Sequence, residues 1–185
     1  MRKLLLIRHA QTRPVAGVRP AEFPLTEEGR RNCVAFAREL ARRQPAVIVT
    51  SEESKARETG EIIARTLALP VESFPGLEEH HRGVVEQLAS PADFQDSIEQ
   101  VFDVPDRIVY GEESAEDALA RFSGAIEGVL QAHPEGHVAV VTHGTVMALF
   151  VAAHNEIDVK GFWSGLKMPD LAVLQVPGFA LDRSL

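Results

Sequence analysis

Three short, uninterrupted apolar runs constrain the fold of this chain more than any other feature: Leu4-Leu5-Leu6-Ile7, Val47-Ile48-Val49 and Val138-Ala139-Val140-Val141. A half-exposed strand alternates apolar and polar side chains. These runs do not alternate, so they read as central strands covered on both faces. The covering layers are visible between them. Cys33, Phe36, Ala37, Leu40 and Ala41 recur at three- and four-residue spacing behind Thr26, which suits an N-cap. A second helix is expected from about Ser54 to Leu67. A third carries Ala118, Leu119, Phe122, Ile126, Val129 and Leu130 on one stripe and Glu116, Arg121 and Glu127 on its polar face. Ser114 and Asp117 stand in the positions of its capping box. The stretch from Gly144 to Asn155 is apolar all round, as a buried helix is, and Leu171 to Val176 reads as a closing strand. Strands alternating with helices predict a three-layer α/β sandwich around a mainly parallel sheet.

At 185 residues the chain is expected to form one domain, 1–185. Residues from about 78 to 111 break the rhythm with His80-His81, a helix starting near Ser90-Pro91, and Pro105. They predict a small cap inserted over one sheet edge. Trp163, Phe162 and Met168 are expected to pack against that edge rather than line a pocket. With 27 acidic against 19 basic residues the formal charge is -8, which repels nucleic-acid backbones and anionic membrane surfaces. Cys33 is the single cysteine, so neither an intrachain disulfide nor a multi-cysteine metal site is available, and a reducing cytoplasm is the expected compartment. The apolar runs are far shorter than a membrane span of roughly 18 to 20 residues.

In parallel sheets, ligands collect beyond the carboxyl ends of the strands, where helix N-termini point inward. Arg8 and His9 follow the first run there, and Thr142-His143-Gly144 follows the last. A helix opening at Gly144 offers unpaired N–H groups and a partial positive charge, which an anion would meet favourably. One histidine at a strand end is usually structural, but two at equivalent strand ends invite a chemical reading.

Leu6-Ile7-Arg8-His9-Ala10-Gln11-Thr12 resembles the opening motif of the histidine phosphatase superfamily, which includes phosphoglycerate mutases and many small phosphomonoesterases. Further segments resemble the family in order. Pro24-Leu25-Thr26-Glu27-Glu28-Gly29 is similar to its Leu-Thr-x-x-Gly helix start. Ser51 to Thr59 is similar to its Ser-Pro-Leu-x-Arg-Ala-x-x-Thr segment, and Leu77-Glu78-Glu79 with Gly83 and Glu86 to its acid motif. Glu113-Ser114 with Arg121 echoes a Gly-Glu-Ser turn and helix, and Val141-Thr142-His143-Gly144 matches the second His-Gly motif. The resemblance implies hydrolysis of a phosphomonoester through a phosphohistidine on His9, with no metal and no other cofactor.

A phosphoryl group in flight needs cations around its oxygens, a nucleophile opposite the leaving oxygen and a proton for the leaving alkoxide. On this resemblance Arg8, Lys55 and the helix start at Gly144 bind phosphate, His143 stabilises the developing charge, and Glu79, protonated at the outset, is the acid. Three positions depart from the pattern: Lys55 stands for an arginine, Ala10 for a glycine, and Val15 for an asparagine. Arg57, two residues on from Lys55, is about 200° round the helix and should point away. The implied substrate is a small phosphorylated metabolite or a phosphoprotein. Rival readings are a non-catalytic phospholigand-binding member of the fold, a mutase-type phosphotransferase, and a metal-dependent hydrolase using His80 and His81. Mutases of the family are longer, so the chain length suits a phosphatase better. The sequence does not give the oligomeric state.

Overall fold

The computed structural model describes residues 1–82 and 91–182, so Gly83, Glu86 and Ser90 of the sequence reading lie outside the described residues. The three apolar runs become β1 (Lys3–Arg8), β2 (Pro45–Thr50) and β4 (His137–Thr142), with β3 at Val71–Ser73, β5 at Asp170–Gln175 and β6 at Ala180–Leu181. The sheet order is β3-β2-β4-β1-β5-β6. The first four strands are mutually parallel, while β5 runs antiparallel to β1 and β6 to β5.

Side chains of β1 alternate between two cores. Leu4 and Leu6 pack beneath α4 (Ala115–Ala132) and α5 (Gly144–Ala153), against Phe122, Ile126, Val146 and Phe150. Leu5 and Ile7 face α1 (Glu27–Leu40) and α2 (Ser54–Leu67), against Ala37, Leu40, Ala56 and Ile63. All four β1 residues are fully buried, as uninterrupted apolar character requires. The expected three layers are therefore present.

The helix starts follow local chemistry. Thr26 Oγ1 accepts from the Gly29 N–H at 2.8 Å. Ser114 Oγ accepts from the Asp117 N–H at 3.1 Å and Asp117 Oδ2 accepts in return from the Ser114 N–H at 3.3 Å, so the aspartate completes the capping box. α3 (Pro91–Asp103) lies against α5 and α6 (Val159–Gly165), where Ile98 clusters with Ala148 and Trp163. One expectation is corrected: Trp163 packs into that cluster between Phe94 and Phe102 rather than against the sheet edge. Met168 is exposed.

Candidate active site

Arg8 is paired with Thr142 across β1 and β4, so the residue following each strand arrives at the same level. Both are histidines. The His9 backbone N–H donates to the Thr142 carbonyl at 2.9 Å, and the two ring centroids lie 5.2 Å apart. His9 Nδ1 is 2.7 Å from the Ala10 carbonyl oxygen. A carbonyl only accepts, so Nδ1 carries the proton and Nε2 keeps its lone pair. Burial, followed by the neighbouring His143 and Lys55, holds the His9 pKa well below its ordinary value, and the ring is neutral near pH 7.

His143 is fully buried, with Nε2 2.9 Å from Ser51 Oγ, while Nδ1 has no partner among the described residues. Burial pushes its pKa down to about 4 despite the nearby Glu53 and Glu79. Arg8 Nη1 donates to the Leu166 carbonyl at 2.7 Å, and its Nε is unpartnered. The glycine at 144 makes room for that guanidinium: a methyl there would lie 3.1 Å from Arg8 Nε and 3.2 Å from Cζ.

Lys55, in the first turn of α2, is 7% exposed. Its Nζ donates to the Pro20 carbonyl at 2.9 Å and to Glu53 Oε2 at 2.5 Å, while Arg57 is exposed, as helix rotation requires. Ala10 is not in the left-handed region and its N–H donates to Thr59 Oγ1 at 3.0 Å, so the backbone accepts the methyl. Val15 is half-buried and does not line the cleft.

Glu53 is a site residue that the sequence reading missed. It precedes α2 at the N-cap, yet its side chain makes no capping bond. The carboxylate turns inward instead. Oε1 accepts from the Glu79 N–H at 2.8 Å and lies 3.7 Å from His143 Nε2. Burial alone would raise its pKa, but His143 and Lys55 outweigh that and hold it below the ordinary carboxylate value. Its signal is present in the sequence: a carboxylate occupies the leucine place of the Ser-Pro-Leu-x-Arg segment, two residues before the lysine that replaces the arginine.

Glu79 occupies the start of α5, where the sequence suggested a welcome for a foreign anion. Oε1 accepts from the His80 and Val146 N–H groups at 2.9 and 3.2 Å, and Oε2 from the Thr145 N–H at 3.2 Å. Arg82 Nη2 is also 3.2 Å from Oε2. Burial favours the protonated form, but Arg82, His143 and the backbone donors overcome it and hold the carboxyl well below the usual range. In the ligand-free protein Glu79 is thus ionised, whereas the acid role asks for a proton at the outset.

Two arginines fasten this region. Arg82 also donates to Thr145 Oγ1 at 3.1 Å and lies over the Phe94 ring of α3, 4.8 Å from its centroid. Arg121, which the sequence placed on the polar face of its helix and in the Glu113-Ser114 motif, donates to the Gly76, Glu78 and Glu79 carbonyls at 3.0, 3.0 and 3.1 Å. It also binds both oxygens of Glu113 at 2.6 and 3.2 Å. His80 is buried with Nε2 2.8 Å from the Glu113 carbonyl, while His81 is exposed, so the histidine pair diverges.

Glu53, Lys55, Glu79, His80, His81 and Arg82 are among the residues lining a cleft of about 410 Å³. Arg8, His9 and His143 are not among its lining residues, but the charges of Lys55 and Arg8 both act on His9, so cations of the kind a phosphoryl group needs lie near that imidazole. Among the described residues no helix is long and apolar enough to cross a membrane, and no group of three or more His, Cys, Asp or Glu side chains could hold a metal ion.

Residues 4–177 match the family model described as the histidine phosphatase superfamily, branch 1. Phosphoserine phosphatase 1 of Hydrogenobacter thermophilus is 30% identical over 175 residues, spanning 89% of this chain and 81% of that one. The metal-independent phosphoserine phosphatase of Arabidopsis thaliana is 29% identical over 157 residues, spanning 78% of this chain and 65% of that protein. Among solved structures, a mycobacterial glucosyl-3-phosphoglycerate phosphatase in complex with VO3 superposes with a TM-score of 0.76 at 26% identity, covering 98% of each chain.

Proposed function

The chain belongs to the histidine phosphatase superfamily, and from that premise we propose that it hydrolyses small phosphorylated metabolites through a phosphohistidine on His9, without a metal. The observation that carries this reading is the pair of neutral imidazoles at the ends of β1 and β4. The His9 Nδ1 proton is committed to the Ala10 carbonyl, so Nε2 is free to attack. In the reading, Arg8 and Lys55 clamp the phosphoryl oxygens beside Gly144, and His143 donates to the oxygen that gains charge. The leaving oxygen then takes a proton from a carboxyl group, Glu79 being the one in the family's acid position. Water next attacks the phosphohistidine, releasing phosphate and restoring His9.

The named substrates of the relatives, phosphoserine and glucosyl-3-phosphoglycerate, are small esters. In the reading, residues 78–82 and 91–111 belong to a cap over the site, and the buried, solitary Cys33 suits a reducing cytoplasm. The test is rapid-quench trapping with a labelled phosphomonoester in excess chelator. An acid-labile, alkali-stable phosphoryl group should appear on the protein and be absent from His9→Ala. Near-normal turnover by His9→Ala, or loss of activity with the chelator and recovery on adding zinc or manganese, would refute the reading.

A further inference from the structure

Resting on the phosphatase reading, we propose that Glu53 is a positioning residue that holds the Lys55 ammonium in place for the phosphoryl group, so that a carboxylate and a lysine act as one unit. Both residues are departures from the Ser-Pro-Leu-x-Arg pattern, Glu53 in the leucine place and Lys55 in the arginine place, and in the folded chain they meet.

An ammonium is a compact charge on a flexible four-carbon stem, so its direction has to be fixed by its surroundings. Lys55 Nζ donates to the Pro20 carbonyl at 2.9 Å and to Glu53 Oε2 at 2.5 Å. Those are its acceptors among the described residues, and an ammonium has three N–H donors, so one remains for a ligand. Glu53 is itself held. Its Oε1 accepts from the Glu79 N–H at 2.8 Å, and its backbone N–H donates to Ser51 Oγ at 3.2 Å. The Lys55 and Glu53 side chains are only 9% and 11% exposed, so water does little to loosen the pair. Pro20, Glu53 and Lys55 all line the cleft, and the Lys55 charge acts on both His9 and His143.

The shape of the two cations accounts for the paired departure. A guanidinium beside a carboxylate closes a two-point fork with it, and that fork uses the parallel N–H groups that two phosphoryl oxygens would take. A tetrahedral ammonium serves three acceptors in three directions, so Lys55 can keep Pro20 and Glu53 and still meet the ligand. Bare charge argues the other way. A carboxylate beside a dianion repels it, so a Glu53 that acted through its charge alone would weaken phosphate binding, and its removal would strengthen it. Positioning and repulsion therefore differ in sign.

The test is a double-variant cycle on 4-nitrophenyl phosphate, with inorganic phosphate as a competitive inhibitor that probes the site without turnover. Glu53→Leu should lower kcat/KM by about tenfold or more and Lys55→Arg by about fivefold or more, because each breaks the unit. Glu53→Leu/Lys55→Arg frees the fork and should return to within about threefold of the unmodified protein. Glu53→Gln keeps an oxygen for the Glu79 N–H and guards against a leucine variant that folds poorly. It should raise the phosphate inhibition constant by about threefold or more. A double variant no better than the poorer single one, or a Glu53→Gln protein that binds phosphate as tightly as the unmodified protein or more tightly, would overturn the assignment. Absence of phosphomonoester turnover by the unmodified protein would instead overturn the phosphatase reading, and this assignment with it.

Discussion

Replacing Arg121 with methionine removes the group that ties the strand-to-loop connection carrying Glu79 to α4. Five hydrogen bonds go: three to the carbonyls of Gly76, Glu78 and Glu79 and two to Glu113. Each bond to a charged partner is worth roughly 1.5 to 3 kcal/mol in isolation, but such values do not add, and the side chains are 20% and 11% exposed, so water replaces part of the loss. Breaking one side of a largely buried pair costs about 3 to 5 kcal/mol, which is the better guide here. For a chain of this size that lowers Tm by about 6 to 20 °C. A domain of ordinary stability, about 5 to 15 kcal/mol, still folds.

Thermal and urea unfolding at pH 7 measure the loss, and the double variant Arg121→Met/Glu113→Gln separates its parts. Removing the partner carboxylate as well should recover some stability, because the nearly buried Glu113 is no longer left without its cation. The pair also has a pH signature. Desolvation raises the Glu113 pKa, but Arg121 and the His81 N–H outweigh it and the folded value lies below the unfolded one. Its contribution is therefore present above the unfolded value and is lost as pH falls through the folded one, and Arg121→Met should flatten that acid limb. A loss below about 1 kcal/mol, or no coupling between the two substitutions, would refute the reasoning.

Gly144→Ala places a methyl 3.1 to 3.4 Å from three atoms of the Arg8 guanidinium, and should lower kcat/KM by about tenfold while shifting Tm little, as steady-state kinetics and a melting curve will show. Lys55→Met removes one charge-assisted contact to the phosphoryl group and leaves Glu53 without its cation, so kcat/KM on 4-nitrophenyl phosphate should fall about 10- to 100-fold; a change below twofold would remove Lys55 from the site. By NMR titration of the ligand-free protein, His143 should stay neutral down to about pH 4 and His9 to well below 6.5, and a midpoint at or above 6.5 for either would contradict the burial argument. Both histidines bind protons more readily when unfolded. Their stabilising effect is complete above the unfolded value near 6.5 and declines as pH falls toward the folded one, by about 3 kcal/mol for His143 alone.

The central strands, the Thr26 and Ser114 caps and the span of α2 were legible because each is a local pattern of burial or hydrogen bonding. β3 was not legible: its three residues are all exposed at a sheet edge, so no periodicity marks it. α6 has seven residues and depends on Asp158 accepting from the Lys160 and Gly161 N–H groups. The antiparallel direction of β5 is set by tertiary pairing that no local pattern encodes. At the site, Arg8, His9 and His143 stand where strand-end reasoning puts them, since the register of β1 and β4 follows from the apolar runs themselves. Glu53 and Arg121 act on residues 26 and 42 to 45 positions away, contacts that no local pattern encodes.

The order of strands also sets an order of events during synthesis. β1 is made first, yet both of its neighbours, β4 and β5, come from the last third of the chain. At roughly 5 to 20 residues per second, Leu4 to Ile7 leave the ribosome about ten to thirty seconds before the strands that cover them exist. Until then α1 and α2 can shield only one side of that ribbon. Fragments ending before His137 should accordingly be insoluble, and slow translation of the middle of the chain lengthens the interval in which the nascent protein depends on chaperones.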